Sequence, residues 1–154
     1  MNYIRQRCAE LGLDLPPVSP RGLYHTAVRN GDTLYVSGQV SRTENGVIGG
    51  PADVLSGEEK VAAARAATLR ILAVLADMIS PDERIRILKL MVYVMTNPAF
   101  QDHSKVADGA SQLLIDVLGE EGAVHSRTAI GVASLPTSGA VELDMICAIS
   151  ASDR

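Results

Sequence analysis

The chain has 154 residues, enough for one domain with a sizeable core, and its 47% apolar and 21% charged residues mark it as globular rather than disordered. Aromatics make up 3%, with no Trp and a single Phe, so the core is aliphatic. A net charge of −4, no basic run and few stacking aromatics argue against a nucleic-acid partner.

The N-terminal stretch MNYIRQRCAELG lacks the continuous apolar segment of a signal peptide. No run approaches the ~20 apolar residues of a membrane span. A cytoplasmic protein with no membrane partner is expected. Cys8 and Cys147 lie almost a chain length apart without a CxxC motif, and read as small buried hydrophobes in a reducing compartment. We expect one domain over 1–154, with 1–17 as a helical extension.

That extension opens on a short helical pattern. Ile4, Cys8 and Leu11 recur at helix spacing, Gly12 is placed to end it, and Pro16-Pro17 forbid continuation. YHTAVRNGDTLYVSGQV then reads as a β-hairpin turning on Asn30-Gly31, and Asn45-Gly46 marks a second, smaller turn. Ser56 and Glu59 form a capping box. Behind it Val61, Thr68, Leu72, Leu75 and Ile79 fall on one face of a helix running to about Met78. A central strand follows over roughly Ile85–Met95, then a helix over His103–Leu118 with Val106, Ala110, Leu113, Leu114 and Val117 as its apolar stripe. SRTAIGVAS and AVELDMICAIS are the closing strands. In the last, Val141, Leu143, Met145, Cys147 and Ile149 point one way while Glu142 and Asp144 point the other. The class is α+β, a sheet with two helices on one face, and the bare face calls for self-association.

Motifs for chemistry are sparse. His25, His103 and His125 have no partner at ligand spacing, so no metal site is expected. There is no P-loop and no nucleophile elbow, and Ser37-Gly38 at a strand end reads as a bulge. Arg127 is the anomaly, a permanent charge at the head of an apolar strand. It is either a surface charge or a bidentate carboxylate receptor. Glu142 is the matching carboxylate. Were the last two strands hairpin partners through LPTSG, Arg127 would face Cys147 and Glu142 would lie roughly 15 Å away along the strand. The pair can share a site only if those strands are not neighbours.

GLYHTAV…NGDTLYVSGQV, LKLMVYVMTNPAF and HSRTAIGVASLPTSGAVELDMICAI, taken in this order, resemble the reactive intermediate deaminase (RidA/YjgF) family, in a longer, bacterial-type member. The family's marks are a Gly-x-Tyr…Ala-Val opening, a Ser-Gly-Gln strand end and an Arg…Leu-Pro…Glu close, and they span roughly residues 21–150 here. The resemblance implies a chorismate-mutase-like α+β fold whose last two strands are not adjacent, and a homotrimer with clefts between subunits. It also implies hydrolysis of 2-imino or 2-enamino acids to 2-keto acids and ammonia, without metal or organic cofactor. Arg127 would hold the substrate carboxylate; Glu142 and the backbone carbonyl of Ala129 would hold the water. Tyr24, Ser37 and Gly38 match cleft-lining positions, and Asn97 matches more loosely. The deaminases commonly carry Cys where this chain has Ala129. The alternative is a trimeric binding protein for a small carboxylate, without turnover. Acidic charge and few aromatics disfavour the family's older labels of ribonuclease and translation inhibitor.

Overall fold

The computed structural model describes residues 1–152. Helix α1 (Tyr3–Glu10) is capped by the Asn2 side chain, which accepts from Arg5 N, and is followed by Gly12 at φ +66°, a left-handed position natural to glycine. Ile4 and Cys8 are buried as expected, but Leu11 is exposed because the helix has already ended at Glu10. Strands β1 (Ala27–Asn30) and β2 (Thr33–Val40) form the hairpin. Its turn lies one residue later than expected: Asn30 pairs with Thr33, so the two-residue loop is Gly31-Asp32, and Gly31 alone takes a positive φ. A small hairpin, β3 (Arg42–Thr43) with β4 (Gly46–Val47), follows.

Helix α2 (Gly57–Met78) starts at the expected capping box, with Ser56 Oγ accepting from Glu59 N and Glu59 Oε2 accepting from Ser56 N. Val61, expected on its inner face, is exposed. The buried surface is instead made largely of alanines, with Ile71, Leu72, Val74 and Leu75. Small side chains permit close approach: a Cβ on Gly109 would lie 3.3 Å from Ala64 Cβ. The remaining elements are β5 (Glu83–Met95), α3 (His103–Ala123), β6 (Ser126–Val132) and β7 (Val141–Ala151). Gly119, at φ +75°, interrupts α3 where the sequence predicts its end, and one further turn follows. Asn2 Nδ2 donates to Ala76 O (2.7 Å) at the end of α2 and Arg7 Nε to Asp116 O (3.1 Å) on α3, so α1 stitches the two long helices together.

The main sheet runs β1-β2-β7-β5-β6. β5 and β6 are parallel, and β7 is antiparallel to both β2 and β5. The chain therefore makes two crossovers, β2-α2-β5 and β5-α3-β6, both moving in the same direction along the sheet. Crossovers of one hand and one direction leave their helices on one face. α2 and α3 pack there over Leu34, Ile87, Leu90, Val92, Leu143 and Met145, all essentially inaccessible to solvent. β7 slots between β2 and β5, so the last two strands are not partners and the hairpin geometry is ruled out.

The alternation expected in β7 is observed, with Val141, Leu143, Met145, Cys147 and Ile149 buried and Glu142 and Asp144 on the opposite face. Both cysteines are free and buried, and burial pushes the Cys147 thiol up to about 12. No helix among the described residues is long and apolar enough to cross a membrane. The other face of the sheet carries no helix. Val28, Tyr35 and Ile130 are 54%, 48% and 42% exposed on it.

Candidate functional site

Glu142 lies on that bare face, and the strand register decides its neighbours. It pairs with Val40 on one side and Tyr93 on the other. Two residues further along β7, Asp144 sits on the same face and accepts a 2.7 Å hydrogen bond from Tyr93 Oη. That bond, then burial, lifts the Tyr93 phenol to about 12, so it remains a donor. Burial pushes the Glu142 carboxyl above the ordinary carboxylate range, and the charge of Asp144 pushes it the same way. A half-buried carboxyl with a raised pKa and no cation paired to it among the described residues is chemically suited to taking up and releasing a proton.

A β-bulge brings the Ser37-Gly38 pair to this carboxyl. Val36 pairs with Met145 and Gln39 with Leu143, so Ser37 and Gly38 together oppose Asp144. The extra residue returns Gln39 to the buried side and leaves Gly38 facing Glu142. A Cβ at position 38 would lie 3.0 Å from Glu142 Cδ and collide with Oε1, so only glycine leaves this carboxyl its place. Ser37 Oγ donates to His25 O at 2.7 Å, which pins the segment leading to β1. Tyr24, in that segment, is exposed, and its hydroxyl accepts from Arg21 N.

Arg127 is placed differently. It heads β6 in register with Leu90, whose side chain is buried beneath the helices, so its guanidinium points to the helical side of the sheet. There Nη1 donates to Asp108 Oδ1 and Ser111 Oγ, both at 2.9 Å, and Nη2 donates to Ser104 Oγ at 2.8 Å. Ser111 also bonds His125 Nε2 at 3.0 Å, while His125 Nδ1 meets Ala123 O. If Nδ1 carries the proton for that carbonyl, Nε2 accepts from the Ser111 hydroxyl, leaving its oxygen free to receive the guanidinium. The side chain is 19% exposed and its ion-pair partner Asp108 68% exposed.

Within one chain Arg127 and Glu142 therefore do not meet. They lie on opposite faces, two strand spacings and three residues apart, roughly 14 Å in projection. Ala129 is in register with Val92 on the helical side and packs against the core. Asn97 is exposed, and its amide is committed to the loop: Nδ2 donates to Asp53 Oδ2 at 2.7 Å and Oδ1 accepts from Ala99 N at 2.8 Å. The structure thus brings together Ser37, Gly38 and Glu142, and adds Tyr93 and Asp144. Sequence reasoning missed Tyr93, though the period-2 pattern of β5 held the signal. It also missed Ser104, Asp108 and Ser111, a polar stripe at i, i+4, i+7 on α3.

Comparison with known proteins agrees with this architecture. The family model described as Endoribonuclease L-PSP matches residues 16–149. The protein TCP17 of Trypanosoma cruzi is 38% identical over 143 residues, covering 88% of each chain. The crystal structure of Atu1372 from Agrobacterium tumefaciens, a protein of unknown function, superposes with a TM-score of 0.84 at 33% identity, over 96% of this chain and 94% of that one. A putative endoribonuclease from Shewanella oneidensis MR-1 superposes with a TM-score of 0.85 at 27% identity, over 96% and 99%. The α+β sheet, its helix-covered face and these matches together establish that the chain belongs to the endoribonuclease L-PSP family, also known as the RidA/YjgF family.

Proposed function

We propose that the protein is a hydrolytic deaminase of reactive 2-imino and 2-enamino acids, working in clefts between the subunits of a homotrimer in the cytoplasm. The observation that carries this reading is Glu142, a half-buried carboxyl with a raised pKa, held over a glycine and paired with no cation among the described residues. A 2-imino acid is already electrophilic at C2, so the protein need only bind the carboxylate and relay protons between water oxygen and nitrogen. Glu142 takes a proton from water as the water oxygen adds to C2. It returns that proton to the imine nitrogen, giving a carbinolamine; it then takes the hydroxyl proton and passes it to the amino nitrogen as the C–N bond breaks, so ammonia leaves and the C2 carbonyl forms. Arg127 is the carboxylate anchor, and the Ala129 carbonyl helps orient the water. Because β6 is an edge strand, Arg127 of one subunit and Glu142 of the next can reach a common cleft although they are separated within a chain.

Two observations favour a second reading, a binding protein for small carboxylates without turnover: Arg127 is already paired with Asp108, and Glu142 lies on the other face of the same sheet. The test is hydrolysis of 2-iminopropanoate generated in situ by an amino-acid oxidase. Glu142→Gln should abolish turnover and spare ligand affinity, whereas Arg127→Ala should damage both. Full turnover by Glu142→Gln removes Glu142 from the mechanism. No acceleration by a folded wild-type trimer leaves the binding reading.

A further inference from the structure

Away from Glu142, on the helical side, three arginines converge, and no carboxylate among the described residues forms an ion pair with them. Arg21, Arg42 and Arg70 line a concavity of about 700 Å³ formed by the segment after α1, the β3-β4 hairpin and the flank of α2. Its walls include Leu13, Leu15 and Leu69. Arg70 Nε donates to Gln39 Oε1 (3.2 Å) and Arg42 Nη2 to Thr137 Oγ1 (3.2 Å), both neutral acceptors. Asp14 and Glu44 also line the concavity, but both are exposed, and among the described residues neither forms an ion pair with any of the three. Other basic side chains also lack an ion pair among the described residues, but here three of them line one concavity beside an apolar wall, in a chain of net charge −4.

Clustering three guanidinium groups costs free energy. Burial and the charges of Arg42 and Arg21 both disfavour the Arg70 cation. Arg70 and Arg42 are half-buried, so water screens their repulsion incompletely. An anion seated among them would offset that cost and take bidentate, charge-assisted hydrogen bonds from the planar forks. The apolar wall beside the cations suits a ligand with a hydrophobic body.

We propose that this concavity is a binding site for a small, doubly charged organic anion, of the phosphomonoester type, whose acidic head lies among Arg21, Arg42 and Arg70 and whose body lies along Leu13, Leu15 and Leu69. The site is distinct from Glu142 and Arg127, although Arg21 N also donates to the Tyr24 hydroxyl.

Titration calorimetry of the full chain at low ionic strength with phenyl phosphate, inorganic phosphate and benzyl alcohol tests it. Phenyl phosphate should bind saturably and more tightly than inorganic phosphate, benzyl alcohol should not bind, and added KCl should weaken the interaction. Arg21→Gln and Arg42→Gln should each weaken phenyl phosphate binding by about tenfold, the loss expected for a charge-assisted contact, while Arg127→Ala leaves it unchanged. The Arg21 and Arg42 variants carry the test even where Arg70→Gln perturbs folding through the buried Gln39. Absence of saturable phenyl phosphate binding overturns the proposal, as does binding indifferent to both variants or lost with Arg127→Ala.

Discussion

Gly38→Ala isolates the position of the Glu142 carboxyl from its chemistry. Gly38 has no positive φ, so alanine suits the backbone, and the only atoms its Cβ would crowd belong to the Glu142 side chain. That Cβ would lie 3.0 Å from Cδ and nearer still to Oε1, whereas ordinary contact begins at 3.4 Å. Since the obstruction is the free end of a flexible side chain, the carboxylate moves and the strand does not. Leaving its preferred rotamer costs on the order of 1 kcal/mol, which in a chain of this size lowers Tm by about 2–4 °C. The catalytic effect is larger, because a misplacement of about 1 Å in a reacting group costs on the order of 10²-fold in rate. We therefore expect Gly38→Ala to lose about 10²-fold in kcat/KM for 2-iminopropanoate, with only that small decrease in Tm and an unchanged oligomeric state. A stable Gly38→Ala protein with wild-type kcat/KM would refute the assignment of Glu142 to the reaction, since the carboxyl cannot remain where it is.

Three other outcomes follow from named contacts. Asp108→Asn removes the carboxylate bound to Arg127; with Asp108 largely exposed, stability should change by no more than about 1 kcal/mol, while KM for the imino acid falls several-fold at constant kcat, and an unchanged KM in steady-state kinetics would show that Arg127 is not the anchor. Glu142 has a folded-state pKa raised by burial and by Asp144, so it binds its proton more firmly in the folded protein than in the unfolded chain. Its contribution to stability is fully present below the ordinary carboxylate pKa and is lost as pH rises through the raised value. Urea midpoints measured from pH 4 to 8 should accordingly show Glu142→Gln gaining on wild type across that window, and parallel curves would contradict the assignment. Ser56→Ala deletes the α2 cap, with an expected loss of about 1 kcal/mol in urea unfolding and no effect on imine hydrolysis.

Much of this fold is legible in local patterns, because periodicity reports burial directly. The capping box at Ser56, the stripe of α3 and the alternation of β7 all appear where the sequence places them. Val61 and the Asn30-Gly31 turn do not. An alanine-rich helix offers nearly equivalent faces, and a one-residue shift of a turn leaves the flanking pattern intact. The non-adjacency of β6 and β7 needs more than local pattern. LPTSG is short enough to suggest a hairpin, but a long helix between two apolar strands marks a parallel crossover, and once β5 and β6 pair, β7 must find its place elsewhere.

The two candidate residues separate along the same line. Glu142 is readable because β7 alternates strictly, so a carboxylate among inward-facing hydrophobics must lie on the other face. Arg127 is not readable, because β6 is an edge strand with no such alternation, and its side chain takes its direction from α3. Ser104, Asp108 and Ser111 are one helical stripe, and only the parallel pairing of β5 with β6 lays that stripe against the head of β6. An arginine held by a mostly exposed aspartate and two hydroxyls is oriented without a strong buried ion pair, since such surface pairs contribute at most about 1 kcal/mol. Under the proposed function, a carboxylate ligand offering both oxygens to the same fork would compete with Asp108 on comparable terms. On that proposal, the contacts that hold Arg127 away from Glu142 within one chain are also the contacts a substrate carboxylate would replace.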